Sequence, residues 1–146
     1  MKRILLFLSL MFITLGVFAQ YVDLGLPSGT KWKKSNEPGF YTYEEAVSKF
    51  GNQLPTAIQL DELIEFSTWE LLGNGYKVIG PSGEFIYLPA TGYNGTNGVD
   101  VKPAGNYWSA TEMGSYTAYN LFFTSDGVNM LDYFRDGGLS VRLVQD

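Results

Sequence analysis

The sequence predicts an α+β domain in which two short helices pack on small antiparallel sheets and the chain closes on a three-stranded meander. Three observations lead there. Two Thr-led capping motifs, Thr42 to Glu45 and Thr56 to Gln59, each open a short amphipathic run. Several runs of β-branched and aromatic residues are separated by Pro-Gly, Asp-Gly and Gly-Gly turns. Aromatics make up 16% of the residues and Gly occurs 17 times without a low-complexity tract, which suits a domain rich in strands and turns.

The N-terminus has a basic start at Lys2 and Arg3, then an apolar run from Ile4 to Phe18 and small residues at Val17 and Ala19. This pattern predicts a secretory signal peptide over residues 1–19, cleaved before Gln20. A spanning helix needs about 20 apolar residues with polar flanks, more than this run supplies. With no Cys in the chain, a lipid anchor after the run is excluded and no disulfide can hold the fold. The expected product is a single secreted or periplasmic domain, residues 20–146, that is neither a lipoprotein nor stably inserted in a membrane. Its size allows it to bury roughly two thirds of the unfolded chain's surface. Without Lys2 and Arg3 the 15 acidic residues outnumber the basic ones by seven. So acidic a surface argues against nucleic acid and anionic lipid as partners.

Tyr21 to Trp32 reads as two short strands around a Pro27-Ser28-Gly29 turn, with Trp32 in the core. Thr42 and Glu45 form a capping box for a helix with Ala46, Val47 and Phe50 on its apolar stripe, and Gly51 ends it. A second helix starts at Thr56 and runs to about Phe66, burying Leu60, Leu63 and Ile64. Asp61, Glu62 and Glu65 then fall on its solvated side. Tyr76 to Ile79 and Phe85 to Leu88, around Gly80-Pro81-Ser82-Gly83, predict a hairpin. Thr91 to Gly105 follows as a long Gly- and Asn-rich loop, a type that often carries function.

Beyond this loop a strand begins at Tyr107-Trp108-Ser109 and another covers Tyr119 to Thr124. Asp126-Gly127 predicts a two-residue turn, which sets Phe123 opposite Met130, Phe122 opposite Leu131 and Asn120 opposite Tyr133. One face then carries Leu121, Phe123, Val128 and Met130 as core. The other presents Asn120, Phe122, Asn129, Leu131 and Tyr133, an aromatic and amide surface of the kind binding sites favour. A turn at Asp136-Gly137-Gly138 is expected to return the chain through Leu139, Val141 and Leu143 as the meander's third strand. Arg135 and Arg142 are open to two readings, as contacts to an anionic ligand or as internal partners.

Five segments, VDLGLPSGTKW (22–32), LPTAIQLDELI (54–64), FIYLPATGY (85–93), NYWSATE (106–112) and GLSVRLV (138–144), resemble the Fibrobacter succinogenes major paralogous domain found in exported Bacteroidetes proteins. The resemblance spans nearly all of residues 20–146. It implies a C-type-lectin-like fold of the formylglycine-generating-enzyme branch, with two helices, small strands and the termini joined in one sheet. It also implies that Trp108, Leu121, Phe123, Arg135 and Arg142 are framework, the arginines structural. By similarity to diversified ligand-binding domains, the contact surface is Tyr116, Asn120, Phe122, Asn129, Leu131, Tyr133 and Asp136.

The chain departs from the enzymes of that branch, because formylglycine generation needs Cys and none is present. Calcium-dependent sugar binding uses a Glu-Pro-Asn type motif in the long loop, whereas Glu37-Pro38 lies near the N-terminus here. Asn97, Asp100 and Asn106 are calcium candidates of low specificity, and a plain solvated loop fits them better. With no His there is no imidazole base or zinc ligand, and nucleotide-binding glycine patterns are missing. No cofactor, metal or catalytic residue is therefore expected. The leading expectation is a secreted, non-enzymatic recognition module for a glycan or protein ligand. A structural or assembly subunit using the same face comes second, and a carboxylate hydrolase built on Glu112, Asp132 and Asp136 third.

Overall fold

The computed structural model describes residues 20–95, 100–101 and 104–146. The expected signal segment, residues 1–19, lies outside the described residues. In chain order the elements are β1 (Tyr21–Val22), β2 (Lys31–Lys33), α1 (Tyr43–Phe50), α2 (Ala57–Phe66), β3 (Thr68–Leu72), β4 (Gly75–Ile79), β5 (Phe85–Pro89), β6 (Tyr93–Asn94), β7 (Asp100–Val101), β8 (Gly105–Met113), β9 (Thr117–Thr124), β10 (Gly127–Phe134) and β11 (Val144–Gln145). The fold is mixed α+β with two short helices and small antiparallel sheets. Among the described residues, no helix is long and apolar enough to cross a membrane.

Both helices start where the capping residues place them. Thr42 Oγ1 accepts from the Glu45 N–H at 3.2 Å and Glu45 Oε1 accepts from the Thr42 N–H at 2.8 Å. Thr56 and Gln59 repeat the exchange at 3.2 and 2.9 Å. These reciprocal bonds satisfy amides that the helix itself leaves orphaned. Gly51 ends α1 at φ +53°, a region that favours Gly. The stripe of α1 is Tyr43, Ala46 and Phe50, while the expected Val47 is exposed. In α2, Leu60 and Leu63 are buried and Asp61 and Glu65 face solvent. Glu62 departs from the expected solvated face, since its carboxylate accepts from the Ser28 N–H and hydroxyl.

The C-terminal meander has the order β10-β9-β8 and is the centre of the molecule. Its period-two alternation feeds two cores. Tyr107, Leu121 and Phe123 point into one cluster with Leu60 and Leu63 of α2, Val78, Ile86 and Leu88 of the β3-β4-β5 sheet, and Val22, Trp32 and Val144. Trp108 and Ala118, on the opposite face, join Tyr43, Ala46 and Phe50 of α1 with Leu139, Val141 and Leu143. The predicted hairpin forms as β4 and β5, while β3, with its largely exposed Thr68 to Leu72, extends that sheet unforeseen. β1, β2 and β11 form one sheet, so the two ends of the described chain do meet.

Two expectations for the meander are corrected. Its third strand is β8, not Leu139 to Leu143. That segment spends its hydrogen bonds elsewhere: Leu139 exchanges bonds with Tyr41, the Ser140 N–H donates to Asn106 O, and Ser140 O accepts from Trp108. The β9-β10 turn is Ser125-Asp126, one residue earlier than expected, so Phe122 opposes Asn129, Leu121 opposes Met130 and Asn120 opposes Leu131. Thr124 Oγ1 accepts from the Asp126 N–H at 3.1 Å, fixing the earlier turn. A turn displaced by one residue shifts the register by two, so every side chain keeps its face.

Candidate functional site

The expected contact residues divide into a rim, a cleft and one buried residue. Phe122, Asn129, Leu131 and Tyr133 share a face of the β9-β10 hairpin. Asn129 is exposed and Leu131 is 46% exposed, while Phe122 and Tyr133 are half-buried. The Tyr93 ring stands edge-on to both, at 6.3 Å from Phe122 and 5.5 Å from Tyr133. Burial pushes the Tyr93 phenol above its ordinary pKa, with Tyr133 adding to the shift. Tyr93 is the rim residue that sequence reasoning did not single out, although it closes the FIYLPATGY segment and lies within the Thr91 to Gly105 loop.

The base of that loop is tied by backbone to the chain that follows β10. Asn94 and Gly138 exchange two hydrogen bonds at 2.8 and 2.9 Å, and the Gly92 N–H donates to Ala104 O at 2.8 Å. The described base of the loop is thus held beside the segment that leaves the hairpin. Of the calcium candidates, Asn97 and the side chain of Asp100 lie outside the described residues. Asn106 is buried and its Oδ1 accepts from Asn120, so it is not open to a cation. Among the described residues, no group of three His, Cys, Asp or Glu is arranged to hold a metal.

Asn120 must be corrected. It shares the rim's face but is only 1% exposed. The cluster of α1 and Leu139 to Leu143 covers that face on its β8 side, reaches β9 at Ala118 and has Tyr93 and Tyr133 of β10 packed at its margin, while Asn129 and Leu131 stay exposed. Asn120 is thus an internal polar group bonded to Asn106, not a contact residue.

Tyr116 and Asp136 meet at the other end of the hairpin, where they line a cleft of about 280 Å³ with Ser115, Phe134 and Arg135. Tyr116 is 80% and Phe134 56% exposed. The backbone N–H of Arg135 donates to Tyr116 O at 3.1 Å, fixing the cleft to the β8-β9 turn. The guanidinium also donates to Gly114 O at 2.7 Å and Thr117 O at 3.4 Å, lies 5.0 Å from the Tyr43 ring, and has Glu44 and Glu112 at 3.6 and 3.7 Å. These contacts make Arg135 a clamp on the β8-β9 turn. Glu112 pairs across to Ala118 and Asp132 to Tyr119, so the two carboxylates stand on opposite faces of the sheet. A hydrolytic pair needs both acids on one substrate, and this arrangement keeps them apart.

Trp108 and Arg142 are internal. The Trp108 indole N–H donates to Tyr41 O at 2.7 Å. Arg142 is 2% exposed and donates to Asn36 Oδ1 (2.8 Å), Lys33 O (3.1 Å) and Tyr87 O (2.7 Å). It therefore joins the chain after β2, the middle of β5 and the C-terminal segment. Burial lowers its pKa to about 10. Asn36 also donates to the Tyr107 hydroxyl, which donates to Pro89 O; burial pushes Tyr107 up to about 12.

Among known proteins, one family model matches residues 76–144. It is described as a domain of unknown function, DUF8237. The match runs from β4 into β11 and includes the meander, the rim and the cleft. No curated protein and no solved structure matches the chain.

Proposed function

We propose that this chain is an exported, non-enzymatic recognition module with a C-type-lectin-like fold, related to the Fibrobacter succinogenes major paralogous domain. It binds a glycan or protein ligand through the meander rim and the adjacent loop. One observation carries this reading: Asn129 and Leu131 stand exposed on one face of the meander beside Phe122, Tyr133 and Tyr93, whose half-buried rings meet edge-on at the margin of the second core. Aromatic rings held edge-on lose little entropy on binding, and an amide beside them supplies orientation. The two helices, the central meander and the joined terminal sheet support the fold assignment.

A glycan and protein array probed with the wild-type chain and with the Phe122→Ala, Tyr133→Ala double variant tests it. The expected result is binding by the wild type that disappears in the folded double variant. Equal binding by both would overturn the assignment of the rim. A structural or assembly role using the same face is the second reading, favoured by the exposure of Leu131 on the outermost strand. A sedimentation profile showing a monomer at all concentrations, with no co-purifying partner, would count against it.

A further inference from the structure

The outer edge of β10 lacks a backbone partner among the described residues. In a two-residue hairpin the residues flanking the loop, here Thr124 and Gly127, exchange both hydrogen bonds, and bonded and non-bonded pairs alternate from there. Val128, Met130 and Asp132 therefore direct their N–H and C=O groups away from β9. None of these groups takes part in the backbone hydrogen bonds to other elements, which begin at Arg135, just past the end of β10. An eight-residue strand with an open edge is a template for another strand.

Charge selects the occupant. β8, β9 and β10 contain no Lys or Arg, whereas Glu112, Asp126, Asp132 and the following Asp136 are exposed. α2 packs against β10 and carries exposed Asp61 and Glu65. Arg135, the nearest cation in sequence, is held by Gly114 and Thr117 with Glu44 and Glu112 beside it. Pairing of two β10 strands from separate copies would bring both copies of Asp132 onto one ladder, with Asp126 in each adjoining turn and no cation in either strand, which disfavours self-association. Leu131 and Phe134 add exposed apolar surface along the same strand.

We propose that the β10 edge takes an extended Lys- or Arg-bearing segment of another protein as a fourth strand of the meander. The proposal rests on the recognition reading above and specifies the chemistry of a protein ligand.

The experiment uses two fluorescein-labelled octapeptides, one alternating Lys and Thr and one alternating Glu and Thr, with binding to the full chain read by anisotropy. The Lys peptide binds and weakens with added salt, and the Glu peptide does not bind. Asp132→Lys weakens the Lys peptide about tenfold, since one attraction becomes a repulsion, and lets the Glu peptide bind. Met130→Pro removes one outward N–H without touching the bonds to β9 and abolishes binding. Hydrogen exchange provides a readout that needs no variant. The amides of Val128, Met130 and Asp132 exchange fast in the free chain and slowly with the Lys peptide. Equal binding of both peptides, an unchanged affinity in Asp132→Lys, protection of those amides in the free chain, or a concentration-dependent dimer would each overturn the proposal. Phe122 and Tyr133 belong to the sheet face and not to the strand's edge. Array binding that depends on those two, with no Lys-peptide binding, therefore removes the edge and leaves the rim in place.

Discussion

Truncating Arg142 to Ala tests the internal framework most severely. Its guanidinium donates to Asn36 Oδ1, Lys33 O and Tyr87 O inside the protein and has no carboxylate partner within ion-pair distance among the described residues. Removing it strands three acceptors, each costing about 1–3 kcal/mol when buried and unpaired. The lost packing of a large side chain adds to this. An opposing effect is the relief of desolvation, visible in the lowered pKa of about 10. The net expectation is a loss of about 3–5 kcal/mol, the range for breaking a buried charged network. A domain of this size is stable by about 5–15 kcal/mol, so the variant should be marginal. Urea unfolding followed by the fluorescence of Trp32, Trp69 and Trp108 measures it. Arg142→Lys should recover only part of the loss, because one ammonium cannot reach three separated acceptors in the planar fork. A loss below about 1 kcal/mol for Arg142→Ala would refute the role of Arg142 as the tie between β5, the post-β2 chain and the C-terminus.

Further outcomes follow from the same contacts. A Cβ at Gly105 would run into the Phe123 ring, so Gly105→Ala should lower stability by about 1–3 kcal/mol and shift the urea midpoint; an unchanged midpoint would contradict the packing. Thr56→Ala loses the hydroxyl that accepts from the Gln59 N–H at the start of α2, leaving only the bond from its own backbone N–H to Gln59 Oε1, and should cost about 1 kcal/mol, with Thr56→Ser recovering most of it. In a spectrophotometric titration Tyr107 should ionise only near pH 12, and Tyr107→Phe should remove that late step. Tyr107's pKa is raised on folding, so its contribution is full below its unfolded pKa near 10 and is lost as pH climbs towards 12. The lowered pKa of Arg142 acts in the opposite sense once pH rises above about 10, so stability should fall less steeply in the wild type than in Arg142→Met.

The local signals in the sequence were legible because their partners lie within four residues. Thr42 with Glu45, Thr56 with Gln59 and the Gly80-Pro81-Ser82-Gly83 turn all specify bonds inside one short window. What escaped depends on distant partners. Leu139, Val141 and Leu143 alternate like a strand, yet the backbone bonds around them go to Tyr41, Glu37 and the β8 region, far away in sequence. Asn120 alternates correctly onto the rim's face, and only the packing of α1 and the C-terminal segment buries that part of the face. The turn at Ser125-Asp126 was misplaced because Asp-Gly suits a turn on intrinsic preference, while the Thr124 hydroxyl captures the Asp126 amide. The faces survived that error because a one-residue turn shift changes register by an even number. Tyr93 joined the site through a loop whose position no periodicity encodes.

The rim is tested most directly by mapping amide chemical shifts of the isotope-labelled chain during titration with the best ligand from the array. Shifts should concentrate at Phe122, Asn129, Leu131, Tyr133 and Tyr93, with Asn120 and Trp108 responding weakly because they are enclosed. A map centred on α1, or on the apolar cleft between Leu71 and Ser125, with the rim unchanged, would contradict the assignment of the meander as the recognition surface.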